Sequence, residues 1–343
     1  MRSTDLTDIA QALVADGKGI LAADETVPTV TKRLGAQRIE STADTRRTYR
    51  EMFFTTSEIA QFISGVIMQD ETIRQKSAQG MAMADVLSRQ GILPGIKVDN
   101  GAKPLAGSPV EKVTEGLDGL RERLEEYRDL GARFAKWRAV IAVGDALPSA
   151  TCVNVNAHAL ARYAGLCQEQ GLVPIVEPEV LMDGSHTIER CEEVTGEVLH
   201  AVFNALYDQK VFLEGMLLKP NMVISGKECT IQVDTEEVAR ATLRCLRRHV
   251  PTAVPGIVFL SGGQDHLAAT KHLCAINQLD GPKPWQLSFS YGRALQDEAL
   301  IAWRGKAENL KAGQQAFYHR AKCDSAAALG RYGPAMETDS ARI

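Results

Sequence analysis

A chain of 343 residues, 45% hydrophobic and 24% charged, can bury a large core without covalent staples. Its formal net charge of -4 argues against a general affinity for nucleic acid or for acidic membrane, so any cationic site must be local. The seven cysteines are odd in number and include no Cys-x-x-Cys pair, which points to free thiols in a reducing compartment. No apolar run approaches transmembrane length, and a cytoplasmic protein is expected.

Leu6, Ile9, Leu13 and Val14 recur at helical spacing, with Asp5 and Asp8 where a secretory leader would be apolar, so the chain should begin with a surface helix of the mature protein. A pattern then repeats: a short apolar run ends in a polar or charged residue and gives way to an amphipathic stretch. The runs are 18–24, 62–68, 95–99, 133–140, 173–179, 212–219, 256–261 and 286–291. Between them, Leu117, Leu120, Leu124 and Tyr127 fall on one helical face, closed by Gly131. Val198, Leu199, Val202, Phe203 and Leu206 stripe another, and Asp234 with Glu237 forms a capping-box start for a third. Eight strand–helix alternations predict parallel strands closed into an α/β fold of the (β/α)8 TIM-barrel type. It should occupy residues 1–332 as one domain, with a flexible tail over 333–343; the Ala-, Gly- and Ser-rich composition extends that expectation of mobility back to Asp324.

Barrels of this kind place chemistry at the C-terminal ends of their strands. Those ends carry Asp24, Lys97, Lys136 with Arg138, Glu177 with Glu179, Lys219, Ser261-Gly262-Gly263, and Ser290 with Arg293. A cluster of cations in an acidic protein implies an anionic ligand. The Ser-Gly-Gly turn after the seventh run, followed by Arg293 after the eighth, suits a phosphate, because glycines let backbone N–H groups approach it. A second phosphate could lie opposite, near Lys97, Arg138 and Arg33. No histidine ends a strand and no zinc-ligand spacing occurs, so the expected set contains no metal. No dinucleotide fingerprint follows the first strand, and no cofactor is expected. Chemistry then falls to side chains. Lys219 closes the apolar run Met216-Leu217-Leu218 and is followed by Pro220; a desolvated lysine beside another cation can attack a ketone as a neutral amine. Lys136 can supply the neighbouring charge and Glu177 an acid and base. The competing explanation is a mutually paired ion network that merely plugs the barrel.

The stretches 17–25 (GKGILAADE), 95–99 (GIKVD), 134–138 (FAKWR), 175–179 (IVEPE), 217–222 (LLKPNM), 259–263 (FLSGG) and 288–293 (SFSYGR) together resemble class I fructose-bisphosphate aldolases, in order and spacing. The resemblance implies the Schiff-base lysine at Lys219, the proton shuttle at Glu177, a carboxylate assisting cleavage at Asp24, and a cation beside the imine at Lys136. It further implies that Ser261, Gly262, Ser290 and Arg293 hold the C1 phosphate, while Lys97, Arg138 and Arg33 grip the rest of the sugar bisphosphate, with Gly263 and Glu179 lining the same site. A homotetramer is also implied. Two departures accompany it. Thr26 and Thr29 stand where the family commonly has serines, and the last tyrosine is Tyr332 rather than a terminal residue. Either another group moves the enamine proton or that exchange is slow. Another Schiff-base sugar-phosphate aldolase, or a silent sugar-phosphate scaffold, are the alternatives; the first would need only one phosphate site and the second no acid–base pair beside an amine.

Overall fold

A computed structural model describes residues 3–338. Eight parallel strands close into a barrel: β1 (Gly19–Ala22), β2 (Ile63–Met68), β3 (Leu93–Lys97), β4 (Phe134–Ile141), β5 (Val173–Val180), β6 (Leu217–Leu218), β7 (Gly256–Phe259) and β8 (Gln286–Tyr291). Each pairs with the next, and β8 closes on β1 through Ile20 opposite Ser290. Nearly continuous burial explains the apolar runs: parallel strands are covered on both faces and lose the alternation of a half-exposed sheet. Helices fill the crossovers. Leu120, Leu124 and Tyr127 are the buried face of Leu120–Asp129, while Leu117 precedes that helix. Asp234 caps Thr235–His249 by accepting from Glu237 N at 2.8 Å, but Glu237 turns its carboxylate to Arg240 instead of back to the cap.

Two cores result. One fills the shell between barrel and helices, with Trp137 against Tyr163 and Tyr49 stacked on Trp303. The second lies inside the barrel. There Leu6, Ile9, Ala10, Leu13 and Val14 of helix α1 (Ser3–Leu13) and the residue after it meet Ile20, Ile67, Phe134, Val173, Leu217 and Val258. The expected surface helix is thus a plug across the N-terminal mouth of the barrel. Room for it and for Phe134 comes from glycine: a Cβ on Gly95 would stand 2.2 Å from the Phe134 ring, and one on Gly256 would stand 2.5 Å from Val14.

The sixth run departs from expectation. Only Leu217–Leu218 pair as strand, and Leu213–Gly215 form a 3₁₀ turn. α1 crosses here, with Leu6 Cβ 2.9 Å from a Cβ placed on Gly215, and Gln168 takes over the backbone groups of Phe212 at 2.7 and 2.9 Å. The expected looseness from Asp324 onward is corrected too. Helix Leu310–Ala328 carries Asp324 fully buried, accepting from Thr270 Oγ1 at 2.5 Å. Beyond it, Ala335–Thr338 is tied down by Glu337, which accepts from Arg320 at 2.7 and 2.9 Å and from Tyr332 at 2.8 Å. The rest of the expected tail, 339–343, lies outside the described residues. No helix among the described residues is long and apolar enough to cross a membrane, and all seven cysteines are free thiols.

Candidate active site

The C-terminal ends of β3, β4 and β5 share one sequence device: a charged residue, one apolar or proline residue, and another charged residue. Two-residue periodicity aims both members of each pair to the same side, toward the barrel axis. Lys97 and Lys136 are directly opposite one another across the β3–β4 ladder, and Arg138 is opposite Glu177 across β4–β5. Lys219 leaves β6 held by its own N–H, which donates to Val176 O at 2.8 Å.

Four of these groups form one buried chain. Lys136 Nζ lies 2.6 Å from Asp24 Oδ2 and 3.3 Å from Glu177 Oε2, and Lys219 Nζ lies 3.2 Å from Glu177 Oε1. Lys136, Glu177 and Lys219 are each no more than 4% exposed. Glu177 Oε2 meets Lys136 as an ion pair without hydrogen-bond alignment. Burial pushes the Asp24 carboxyl up, but the positive charges of Lys136 and then Lys219 outweigh it and hold its pKa down at about 2. The same balance works on Lys136: burial disfavours its charge, Asp24 and Glu177 more than restore it, and its pKa is raised. Lys136 is therefore a fixed cation beside Lys219. The loop bearing Asp24 is pinned from behind by buried Arg50, donating to Ala23 O at 3.1 Å and Glu25 O at 2.7 Å, and by Gln296, donating to Ala22 O at 2.6 Å.

The second cluster lies at β7 and β8. Ser261 is buried, Gly262 and Gly263 take positive φ of 61° and 85°, and Gln264 N closes the turn on Ser261 O. Only glycine adopts two such conformations in succession at little cost. Among the described residues the N–H groups of Gly262 and Gly263 reach no acceptor. Ser290 Oγ is buried without a partner, and Gly292 leaves the helix Arg293–Trp303 without a side-chain cap. Unspent donors facing an arginine are what an oxyanion needs.

The distal residues are placed differently from one another. Lys97 Nζ donates to Asp99 Oδ1 at 2.5 Å and Asp99 O at 2.8 Å, and Asp99 also accepts from Gly101 N and Arg138 N. Arg138 pairs with Glu179. Arg33 is placed differently: Glu25 and Asp297 pair with it and Gln296 accepts from it at 3.0 Å, beside the loop that bears Asp24. Thr26 and Thr29 bond to one another at 3.0 Å. Asp99 was not singled out from sequence, although its alternation with Lys97 repeats the signal of the neighbouring strands. None of the seven histidines lies on a barrel strand.

A family model described as fructose-bisphosphate aldolase class-I matches residues 5–342. The chain belongs to that family. A probable fructose-bisphosphate aldolase class 1 of Xanthomonas axonopodis pv. citri is 57% identical over 333 residues, 97% of this chain and 99% of that one. Fructose-bisphosphate aldolase B of Oryctolagus cuniculus is 54% identical over 329 residues, 96% and 90% of the two chains. The solved structure of Plasmodium falciparum fructose-bisphosphate aldolase, in complex with TRAP and a small-molecule inhibitor, superposes with a TM-score of 0.95 at 49% identity, covering 96% and 95%. The enzyme is accordingly a lyase of glycolysis, a class I fructose-bisphosphate aldolase.

Proposed function

We propose that Lys219 carries the chemistry of this aldolase and that Glu177 moves its protons. The supporting observation is the sharing of one buried carboxylate between Lys219 and Lys136, beneath Asp24. The Lys219 amine adds to the C2 ketone of fructose 1,6-bisphosphate to give a carbinolamine, and Glu177 protonates the departing hydroxyl as water leaves. The resulting iminium draws the electron pair of the C3–C4 bond as it breaks, while the C4 hydroxyl proton passes to Glu177. Glyceraldehyde 3-phosphate departs, and the enamine is protonated at C3 and hydrolysed to dihydroxyacetone phosphate and free Lys219. Asp24 and Lys136 fix the charge around that step. Ser261, Gly262, Gly263, Ser290 and Arg293 hold the phosphate next to the ketone; Lys97 and Arg138, set by Asp99 and Glu179, meet the distal half of the sugar. A homotetramer completes the proposal, together with a cytosolic location, for which the cytosolic fructose-bisphosphate aldolase 4 of Arabidopsis thaliana is a precedent.

The test is dihydroxyacetone phosphate with borohydride in the presence of EDTA. Inactivation with a reduced adduct on the peptide containing Lys219 is expected, and cleavage activity should survive the chelator. An adduct on Lys97 or Lys136 overturns the assignment; loss of activity restored by zinc overturns the mechanism.

A further inference from the structure

Lys227 ends no strand and belongs to none of the motifs above, yet it stands over the Ser-Gly-Gly turn. We propose that Lys227 is a second cation of the site for the phosphate next to the ketone, a specificity-determining partner to Arg293. This rests on the reading of that cluster as a phosphate site. A Cβ placed on Gly263 would stand 3.0 Å from Lys227 Nζ and 3.0 Å from Arg293 Nη2, so the two charges flank one glycine and are at most twice that distance apart. Like charges so close repel unless an anion sits between them. Little in the protein offsets this: Lys227 pairs at 3.2 Å with Asp183, itself 69% exposed, and among the described residues Arg293 pairs with no carboxylate.

The position of Lys227 is built rather than incidental. Lys227 N donates to Met182 O, Gly226 N to His186 O and Glu228 N to Gly184 O, at 2.8, 2.8 and 2.9 Å. These bonds lace the segment after Lys219 to the loop that follows β5. A Cβ on Gly226 would stand 2.2 Å from Gly184 O, so only glycine lets the two backbones approach this closely. The same loop reaches the turn, with Met182 Sδ 3.9 Å from a Cβ on Gly262. On the strand next to β7, the buried Ser290 Oγ has no partner and is a further unspent hydroxyl donor. Two cations with unspent N–H and O–H donors favour a doubly charged phosphate over a singly charged group. On binding, the phosphate takes the ammonium from exposed Asp183 or shares it.

The experiment uses the intact enzyme and dihydroxyacetone phosphate, which has a single phosphate, beside the ketone. The concentration giving half-maximal borohydride trapping is measured for wild type, Lys227→Met, Lys227→Arg and Arg293→Ala. Lys227→Met should raise it about 5–10-fold, and Lys227→Arg should restore it. Asp183→Asn, which frees Lys227, should lower it. A Lys227→Met value within about twofold of wild type, while Arg293→Ala shifts it strongly, overturns the role of Lys227 and leaves the phosphate site standing. If neither variant shifts it, the phosphate-site reading falls and the proposal with it. A drop in kcat and thermal stability with unchanged half-trapping marks a purely structural lysine and also overturns the proposal.

Discussion

Glu177 gives each of its oxygens to a different lysine, Oε1 to Lys219 at 3.2 Å and Oε2 to Lys136 at 3.3 Å. A carboxylate so placed can pass a proton at one oxygen while the other stays anchored to a cation that does not titrate in the working range, since Asp24 holds Lys136 charged. Glu177→Gln keeps the shape and removes the proton acceptor. We expect kcat to fall about 10²–10⁴-fold, the usual contribution of a positioned acid–base group. Steady-state cleavage, with circular dichroism to confirm folding, checks this.

The two ends of the substrate should respond to different variants. Arg293→Ala removes a contact to the phosphate present in both fructose 1,6-bisphosphate and fructose 1-phosphate, so kcat/KM should drop about ten- to a hundredfold for both. Lys97→Ala should act mainly on the bisphosphate and narrow the preference between the two sugars. Because Lys97 also holds Asp99, Asp99→Asn is the companion variant. Equal losses on both sugars from Lys97→Ala would place Lys97 in catalysis or in barrel integrity instead.

The hidden ion pair at the end of the chain should be a stability element. Arg320 is fully buried, and Glu337 neutralises it with two hydrogen bonds. Glu337→Ala leaves a buried guanidinium whose remaining carboxylate neighbour is Asp324, and breaking such pairs typically costs about 3–5 kcal/mol. Urea unfolding measures the loss. Activity of the folded fraction should change little, because Glu337 is not among the residues at the strand ends.

Asp324 gives a pH signature. Burial raises its pKa to about 7 against the opposing pull of Arg320 and Thr270, from an ordinary 3.8, and its Oδ2 has no partner. The folded state therefore keeps a proton that the unfolded chain releases, so stability is lost as pH climbs from about 4 to about 7. Asn mimics the protonated carboxyl and does not titrate. The stability of Asp324→Asn relative to wild type should grow across that window by on the order of 4 kcal/mol and level off above it. A difference that stays flat with pH would show that Asp324 does not titrate there.

The barrel was legible because its parallel strands are buried on both faces and read as apolar runs, each ending where solvent and chemistry begin. The alternation Lys136-x-Arg138 and Glu177-x-Glu179 marked, for the same reason, where the barrel carries its paired charges. What sequence did not show was pairing across the chain. Nothing near Arg33 announces that Glu25 and Asp297 will neutralise it. Lys227 sits in a loop, where no periodicity fixes direction, and its place depends on backbone bonds to a loop some forty residues earlier (Met182 to His186). The shortened sixth strand was hidden likewise, since its cause is a helix from the other end of the chain.

That helix has a consequence for how the protein is made. α1 leaves the ribosome before the barrel strands, yet its apolar face is covered by Ile20, Ile67, Phe134, Val173, Leu217 and Val258, all synthesised later. Until most of the barrel exists, Leu6, Ile9, Leu13 and Val14 have no partners to bury them. A nascent chain in this state exposes a sticky amphipathic segment for most of its elongation, which is the kind of surface that holding chaperones capture. α1 thus finds its partners only once the barrel strands exist, and substitutions such as Leu13→Asp should be felt first as a loss of soluble yield during synthesis rather than as a change in catalysis.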